Sequence, residues 1–359
     1  MAYLDNNSTT HPASEVQNAM ASVTGVDLEI IEETRRSTAR LLGARAEEIF
    51  FSTSGTDSIR TAFKAAFKAR PGCRHVIASS IEHDSVLDIC RRLASQGFRV
   101  TLLDVDERGR IDVSQLERSL STDTALVSIT QADPETGIIF PVKDLAYLVH
   151  RHSAALVHSD GAAAAGKMPI ELENSGVDLY SISGRKFNGP DWIGALYVRQ
   201  TLGICSAGSE RDIDEEFMRS IAGLGAAARK ATEDPAIEEM RRLRDRLEDS
   251  ILSLIPDAYV NGTHNRSERL VNTSSIAFEN ANGELIAERL AELGTTVSTA
   301  SACGRPDRSN SGVLQALNIP YARIAGSIRF SLDRYTTDAG IGEAIDSVQS
   351  AVAYARRFS

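Results

Sequence analysis

Cysteine is scarce in this sequence: Cys73, Cys90, Cys205 and Cys303 lie far apart and none forms a C-x-x-C pair. A disulfide framework and a thiolate metal site are therefore not expected. The thiols read as reduced, which points to the cytoplasm. Long apolar runs are missing as well, since no stretch reaches the ~18 residues of a membrane span. Residues 1–7 have neither the basic region nor the apolar stretch of a secretory signal. Positive charge is in deficit, with 39 Lys and Arg against 49 Asp and Glu and a net charge of −10. That balance favours solubility and argues against a broad nucleic-acid or anionic-membrane surface. What remains is ordinary globular composition, 42% hydrophobic and 25% charged over 359 residues. A large domain plus a smaller one fits that length, without metal or disulfide for stability.

Short β-rich runs at 75–78, 99–103, 125–129, 155–158, 179–182 and 194–198 alternate with amphipathic stretches such as 83–95, 113–120 and 142–152. The alternation predicts an α/β layer with a mostly parallel sheet covered on both faces. After Arg199 the pattern changes. A long charged helix is expected at about 235–254, then strands at 271–278, 295–298 and 327–332 with helices at 284–293, 312–317 and 340–356. The expected division is a large domain over 16–235 and a smaller α+β domain made of 1–15 and 236–359, joined by the long helix.

Five places carry chemistry-bearing residues. Ser52-Thr53-Ser54-Gly55-Thr56-Asp57-Ser58 follows an apolar run and opens a helical pattern, so its backbone N–H groups at the helix N-terminus suit a phosphate. The same residues also make an ordinary helix cap. His158-Ser159-Asp160 ends a buried-looking strand, and Lys186 follows in Ser181-Ile182-Ser183-Gly184-Arg185-Lys186. A carboxylate and an amine so placed fit a pyridinium partner and a Schiff-base lysine, although most Asp and Lys are solvated surface groups. Cys303 stands among small polar residues beside Arg305 and Arg308, where a thiolate is favoured. Arg329 sits inside an apolar strand and needs a carboxylate partner, from substrate or from the protein. His83, at a strand-to-helix junction on the ligand side of such sheets, reads equally as a cap or core histidine.

In order along the chain, these segments resemble the NifS/IscS group of cysteine desulfurases in the class V aminotransferase family. The resemblance rests on Tyr3-Leu4-Asp5-Asn6-Asn7-Ser8-Thr9-Thr10, Ile81-Glu82-His83, Glu135-Thr136-Gly137, residues 178–190, Gly194-Ala195-Leu196-Tyr197-Val198, Ser301-Ala302-Cys303 and residues 327–337. It implies the pyridoxal-phosphate fold type I, with a mostly parallel seven-stranded sheet. It also implies removal of sulfur from L-cysteine to give L-alanine and a persulfide on Cys303. By the same resemblance Lys186 bonds the cofactor and shuttles the Cα proton, Asp160 holds the ring nitrogen, and His83 stacks on the ring. Gly55, Thr56, Ser183 and Arg185 surround the cofactor phosphate. Arg329 grips the substrate carboxylate, with Asn6 on the substrate side. A homodimer, and an acceptor protein that carries sulfur to destinations such as iron–sulfur cluster assembly, are further implications; direct nucleic-acid contact and membrane attachment are not.

The sequence departs from the family's pattern in several places. Ala163 stands where a glutamine is usual, so a hydrogen bond to the cofactor's ring oxygen is expected to be missing. Asp133-Pro134-Glu135 replaces Asn-Asn-Glu, and proline removes an amide and a backbone donor. Arg185 replaces a histidine, the 20–35 stretch is short, and a glycine-rich phosphate-directed loop has become the acidic stretch 207–217. These changes predict weaker cofactor grip or slow, partner-dependent turnover. They also keep open a different pyridoxal-phosphate reaction, such as C–S lysis or transamination, and a non-catalytic binding or scaffold subunit.

Overall fold

The computed structural model describes residues 2–203, 213–300 and 311–358. Cys205, Cys303 and positions 207–212 of the acidic stretch lie outside the described residues. The chain enters through strand β1 (Ala2–Tyr3). It then builds one seven-stranded sheet from β2 (Ile49–Ser52), β3 (His75–Ser79), β4 (Arg99–Leu103), β5 (Thr124–Ser128), β6 (Leu156–Asp160), β7 (Leu179–Ser183) and β8 (Gly194–Val198). The spatial order is β2, β8, β7, β6, β5, β3, β4. Strands β3 to β7 are parallel to their neighbours, and β8 runs antiparallel between β7 and β2.

Alternation along each strand divides its side chains between two layers of helices, so both faces are apolar. Val76, Ala78, Leu126, Leu156, Leu179 and Leu196 join Ile59 and Phe63 of helix Gly55–Ala69 on one face. Ile77, Val127, Val157, Tyr180, Ala195 and Tyr197 enter the main core on the other. Two histidines inside this sheet are structural. His75 lies between Thr124 and Thr101, and His158 between Ser128 and Ser181 with its ring against Phe63. Burial pushes the His158 imidazole down to about 3, so it stays neutral.

Helices Ser14–Ala21 and Leu28–Leu42 pack on helix Glu215–Glu233. Asp214 caps that helix by accepting from the Phe217 N–H, and Glu215 and Glu216 occupy its first turn. The described end of the acidic stretch thus serves a helix N-terminus, where negative charge is favourable.

Helix Ile237–Leu254 leads to β9 (Ala258–Val260), β10 (Thr273–Phe278), β11 (Thr295–Thr296), β12 (Ser298–Thr299) and β13 (Ser327–Ser331). Strands β12, β13, β10 and β9 form a four-stranded antiparallel sheet, whereas β11 pairs in parallel with β1. The single strand expected at 295–298 is therefore two short ones with different partners. Glu248 of the long helix takes both Arg269 guanidinium nitrogens at 2.8 Å and the Ser274 hydroxyl, which pins the helix to this sheet. A second core joins Ala2 and Leu4 to residues of 243–355. Ala300, Leu314, Leu317 and Ile324, expected in the smaller unit, pack instead in the core of the larger one.

Candidate active site

A cavity of about 480 Å³ opens at the carboxyl ends of the parallel strands, and its walls include Gly55, Thr56, His83, Asp160, Ser183, Arg185 and Lys186. Sequence reading picked out all seven, and the fold explains their meeting. β2 turns directly into helix Gly55–Ala69, β3 leads to His83, β6 ends on Asp160, and β7 ends on Ser183 before the tight turn Gly184–Lys186.

At one end the helix Gly55–Ala69 presents its N-terminus. The Ser54 hydroxyl and carbonyl accept from the Asp57 and Ser58 N–H groups, which leaves those of Gly55 and Thr56 at the open end. A side chain at position 55 would put its Cβ 2.9 Å from the Ser183 Cβ, so glycine lets the helix end and the Ser183 hydroxyl close on a common space. With Arg185 on the rim, this end presents donors and positive charge together.

At the other end lies Asp160, almost wholly buried. One of its oxygens accepts from the Ala162 N–H at 3.0 Å. Burial raises its carboxyl above the usual range, against the pull of His83 and Lys186. Behind it Glu82 is also buried and accepts from the Thr130 N–H at 2.6 Å. Burial first, then the nearby Asp160 charge, pushes the Glu82 carboxyl up to about 8. Below its ordinary value of 4.5 the group is protonated in both folded and unfolded chains. Between that value and about 8 only the folded chain keeps the proton, so stability falls as pH rises through this window. Glu82→Gln, which keeps the acceptor for Thr130, should therefore raise stability on the order of 2 kcal/mol at pH 8 and far less at pH 5. Thermal unfolding at the two pH values measures this; an equal change at both would refute it.

The amine and the imidazole line the same cavity. The Lys186 Nζ donates to the backbone carbonyls of Asn7 and Ser8, the latter at 2.8 Å. His83 caps helix Asp84–Ser95, its Nδ1 accepting from the Ser85 N–H at 3.1 Å. The same Nδ1 lies 2.7 Å from the Ser85 hydroxyl, so this edge of the ring is held by the helix start.

Other expected positions fall elsewhere. Arg329 and Asn6 are not among the lining residues. The Arg329 guanidinium reaches Asp5 and the Ser8 hydroxyl, each at 2.6 Å, so its carboxylate partner here is structural. Asn6 is buried, its amide donating to the Tyr3 and Ser331 carbonyls. Both sit behind the segment whose carbonyls receive Lys186. Ala163 and Pro134 line the cavity as the departures required. Next to Pro134, Glu135 accepts from Ser311, the first described residue after the stretch containing Cys303. Three features were not read from the sequence: Trp192, the chain's one tryptophan, 76% exposed on the cavity wall; Asp191 beside it; and the buried Lys167.

The arrangement has counterparts. The model of the class-V aminotransferases matches residues 2–205. A cysteine desulfurase of Trichormus azollae is 38% identical, over 99% of this chain and 94% of that protein. The solved structure of a NifS-like protein superposes with a TM-score of 0.85 at 29% identity, covering 98% of this chain and 99% of that one. A structure titled SspA in complex with cysteine superposes with a TM-score of 0.74 at 27% identity, covering 94% and 100%. With a helix end, a buried carboxylate and a lysine gathered at the strand ends, and with relatives similar from one end to the other, the chain belongs to the class-V aminotransferase family.

Proposed function

We propose that this protein is a cysteine desulfurase that takes the sulfur of L-cysteine onto Cys303 as a persulfide and releases L-alanine. The observation that carries the reading is the convergence of the Lys186 amine, the Asp160 carboxylate and the helix end at Gly55 in one cavity. Relatives bearing the desulfurase name along nearly the whole chain support it, as does a structural neighbour solved with cysteine.

The cofactor is pyridoxal 5′-phosphate, and the residues fit it. The N-terminal donors with Ser183 and Arg185 match a phosphate, and a buried carboxylate raised by desolvation is satisfied by a protonated ring nitrogen. When bound, this group supplies an electron sink for bonds breaking at the substrate amino acid. Lys186 supplies the bonding amine and then a base for the Cα proton. Asp160 keeps the nitrogen's proton in place. His83, held at its Nδ1 by Ser85 and lining the cavity, stacks on the bound ring and handles substrate protons. The Cys303 thiolate attacks the substrate sulfur: a sulfur–sulfur bond forms, the carbon–sulfur bond breaks, and its electron pair with a proton completes the methyl group of alanine. Arg329 becomes the grip for the substrate carboxylate by exchanging Asp5 for it.

The same reading carries a cytoplasmic homodimer that hands its sulfur to an acceptor protein, with iron–sulfur cluster assembly among the uses. It is supported by the resemblance and by a thiol that must remain reduced to react.

Trp192 supplies the test. Pyridoxal phosphate added to cofactor-free protein should quench fluorescence from this sole tryptophan and produce a new visible band. L-cysteine should then yield alanine and protein-bound sulfur in equal amounts. Cofactor that neither quenches Trp192 nor gives a band would refute the reading.

A further inference from the structure

Between β1 and helix Ser14–Ala21 the chain makes a turn in which the Asp5 carbonyl accepts from the Ser8 N–H at 3.1 Å. The side chains of this turn engage Arg329, which stands on β13 with only 5% of its side chain exposed. The guanidinium Nη2 donates to the Asp5 Oδ1 and to the Ser8 hydroxyl, each at 2.6 Å, and that hydroxyl donates to the same Asp5 oxygen at 2.8 Å. The backbone of the turn, at Asn7 and Ser8, holds the Lys186 amine. Ser8 therefore touches both groups that act on the substrate in the proposed reaction, the lysine through its carbonyl and the guanidinium through its hydroxyl.

The hold on Arg329 is incomplete. Both contacts use the one nitrogen Nη2, while the buried Arg329 Nε has no hydrogen-bond partner among the described residues. A guanidinium binds a carboxylate best through two parallel N–H···O bonds, and a buried donor left empty is costly. A carboxylate that took Nη2 and Nε together would make two such bonds where Asp5 makes one. Asp133, another buried carboxyl that feels the Arg329 charge, is already committed to the Thr136 N–H at 2.6 Å and its hydroxyl at 2.5 Å. Asp5 is the more exposed member of its pair, at 18%, so displacing it returns a carboxylate toward water instead of stranding it.

We propose that Asp5 is a built-in competitor for Arg329: its carboxylate holds the guanidinium that the substrate carboxylate must take, and so it sets how tightly L-cysteine binds. This rests on the reading that Arg329 grips the substrate. Asp5 acts through Arg329 and is a positioning residue. In the empty site it keeps a buried guanidinium from standing without a counter-charge; in the filled site it is displaced.

The experiment compares Asp5→Asn with the wild-type protein, both loaded with pyridoxal phosphate. Each is titrated with L-alanine and with ethylamine, the same amine without the carboxylate, and dissociation constants are read from the change in the visible band. Asparagine keeps the size and an acceptor oxygen but drops the charge, so L-alanine should bind about tenfold tighter, while ethylamine binds as it does to wild type. The thermal midpoint of the cofactor-free variant should fall, because a buried guanidinium has lost its counter-charge. A merely structural Asp5 would lower stability and weaken L-alanine binding together. That result, unchanged L-alanine binding, or equal tightening of both ligands would overturn the proposal. If Asp5→Asn does not fold, Ser8→Ala removes the hydroxyl that braces the pair and should tighten L-alanine binding by a smaller factor; no tightening there overturns it equally. Wild-type affinity for L-alanine in Arg329→Gln would instead sink the reading of Arg329 on which the proposal rests.

Discussion

Lys186→Ala is expected to slow alanine formation from L-cysteine by on the order of 10⁴-fold, about 5–6 kcal/mol of barrier, because it removes both the covalent anchor and the base for the Cα proton. The loss in folding stability should be small. Lys186 is half-buried and donates to two backbone carbonyls, those of Asn7 and Ser8, and hydrogen bonds of this kind contribute about 1 kcal/mol each. A folded, cofactor-exposed but nearly inert variant is thus the predicted product, and borohydride should fix no cofactor to it. Activity within tenfold of wild type would remove Lys186 from its role.

Cys303→Ala should have the complementary effect. Persulfide formation and alanine release should fall by on the order of 10³-fold or more, while cofactor capture and quenching of Trp192 persist. Neither thiol among the described residues can stand in. Cys90 is buried under the sheet with its thiol pushed up to about 12 by desolvation. Cys73 is engaged with the Thr122 carbonyl near the opposite ends of the strands. The same variant separates the chemistries left open by the sequence. Undiminished sulfide release from cysteine would mean C–S lysis without a protein nucleophile.

Much of the site was legible because its residues follow strands, and strands are marked by local pattern. Gly55, His83, Asp160 and Lys186 each come just after a short apolar run, and the α/β order then dictates that those ends share one edge. What escaped reading was set by contacts distant in sequence. Lys167 in a Gly-Lys-Met turn looks like a solvated lysine, and only Asn7, 160 positions away, shows why it is buried. The partner of Arg329 is Asp5, 324 positions away. Helix Glu215–Glu233 went unnamed because its apolar stripe is short, Met218, Ile221 and Leu224, and is diluted by Ala222, Gly223, Gly225, Ala226, Ala227 and Ala228. Those small residues allow close packing: a Cβ at Gly225 would stand 2.5 Å from the Thr34 hydroxyl.

The opening residues have a mechanical consequence. Ala2 and Leu4 are hydrogen-bonded to the β11 region and Asn6 to β13, whereas Thr10 and Ala13 are held by the Arg185 and Asn188 carbonyls. Between these anchorages lie the two carbonyls that hold the Lys186 amine. Any separation of the smaller half from the larger would pull on this short cord, and with it on the carbonyls that latch the lysine.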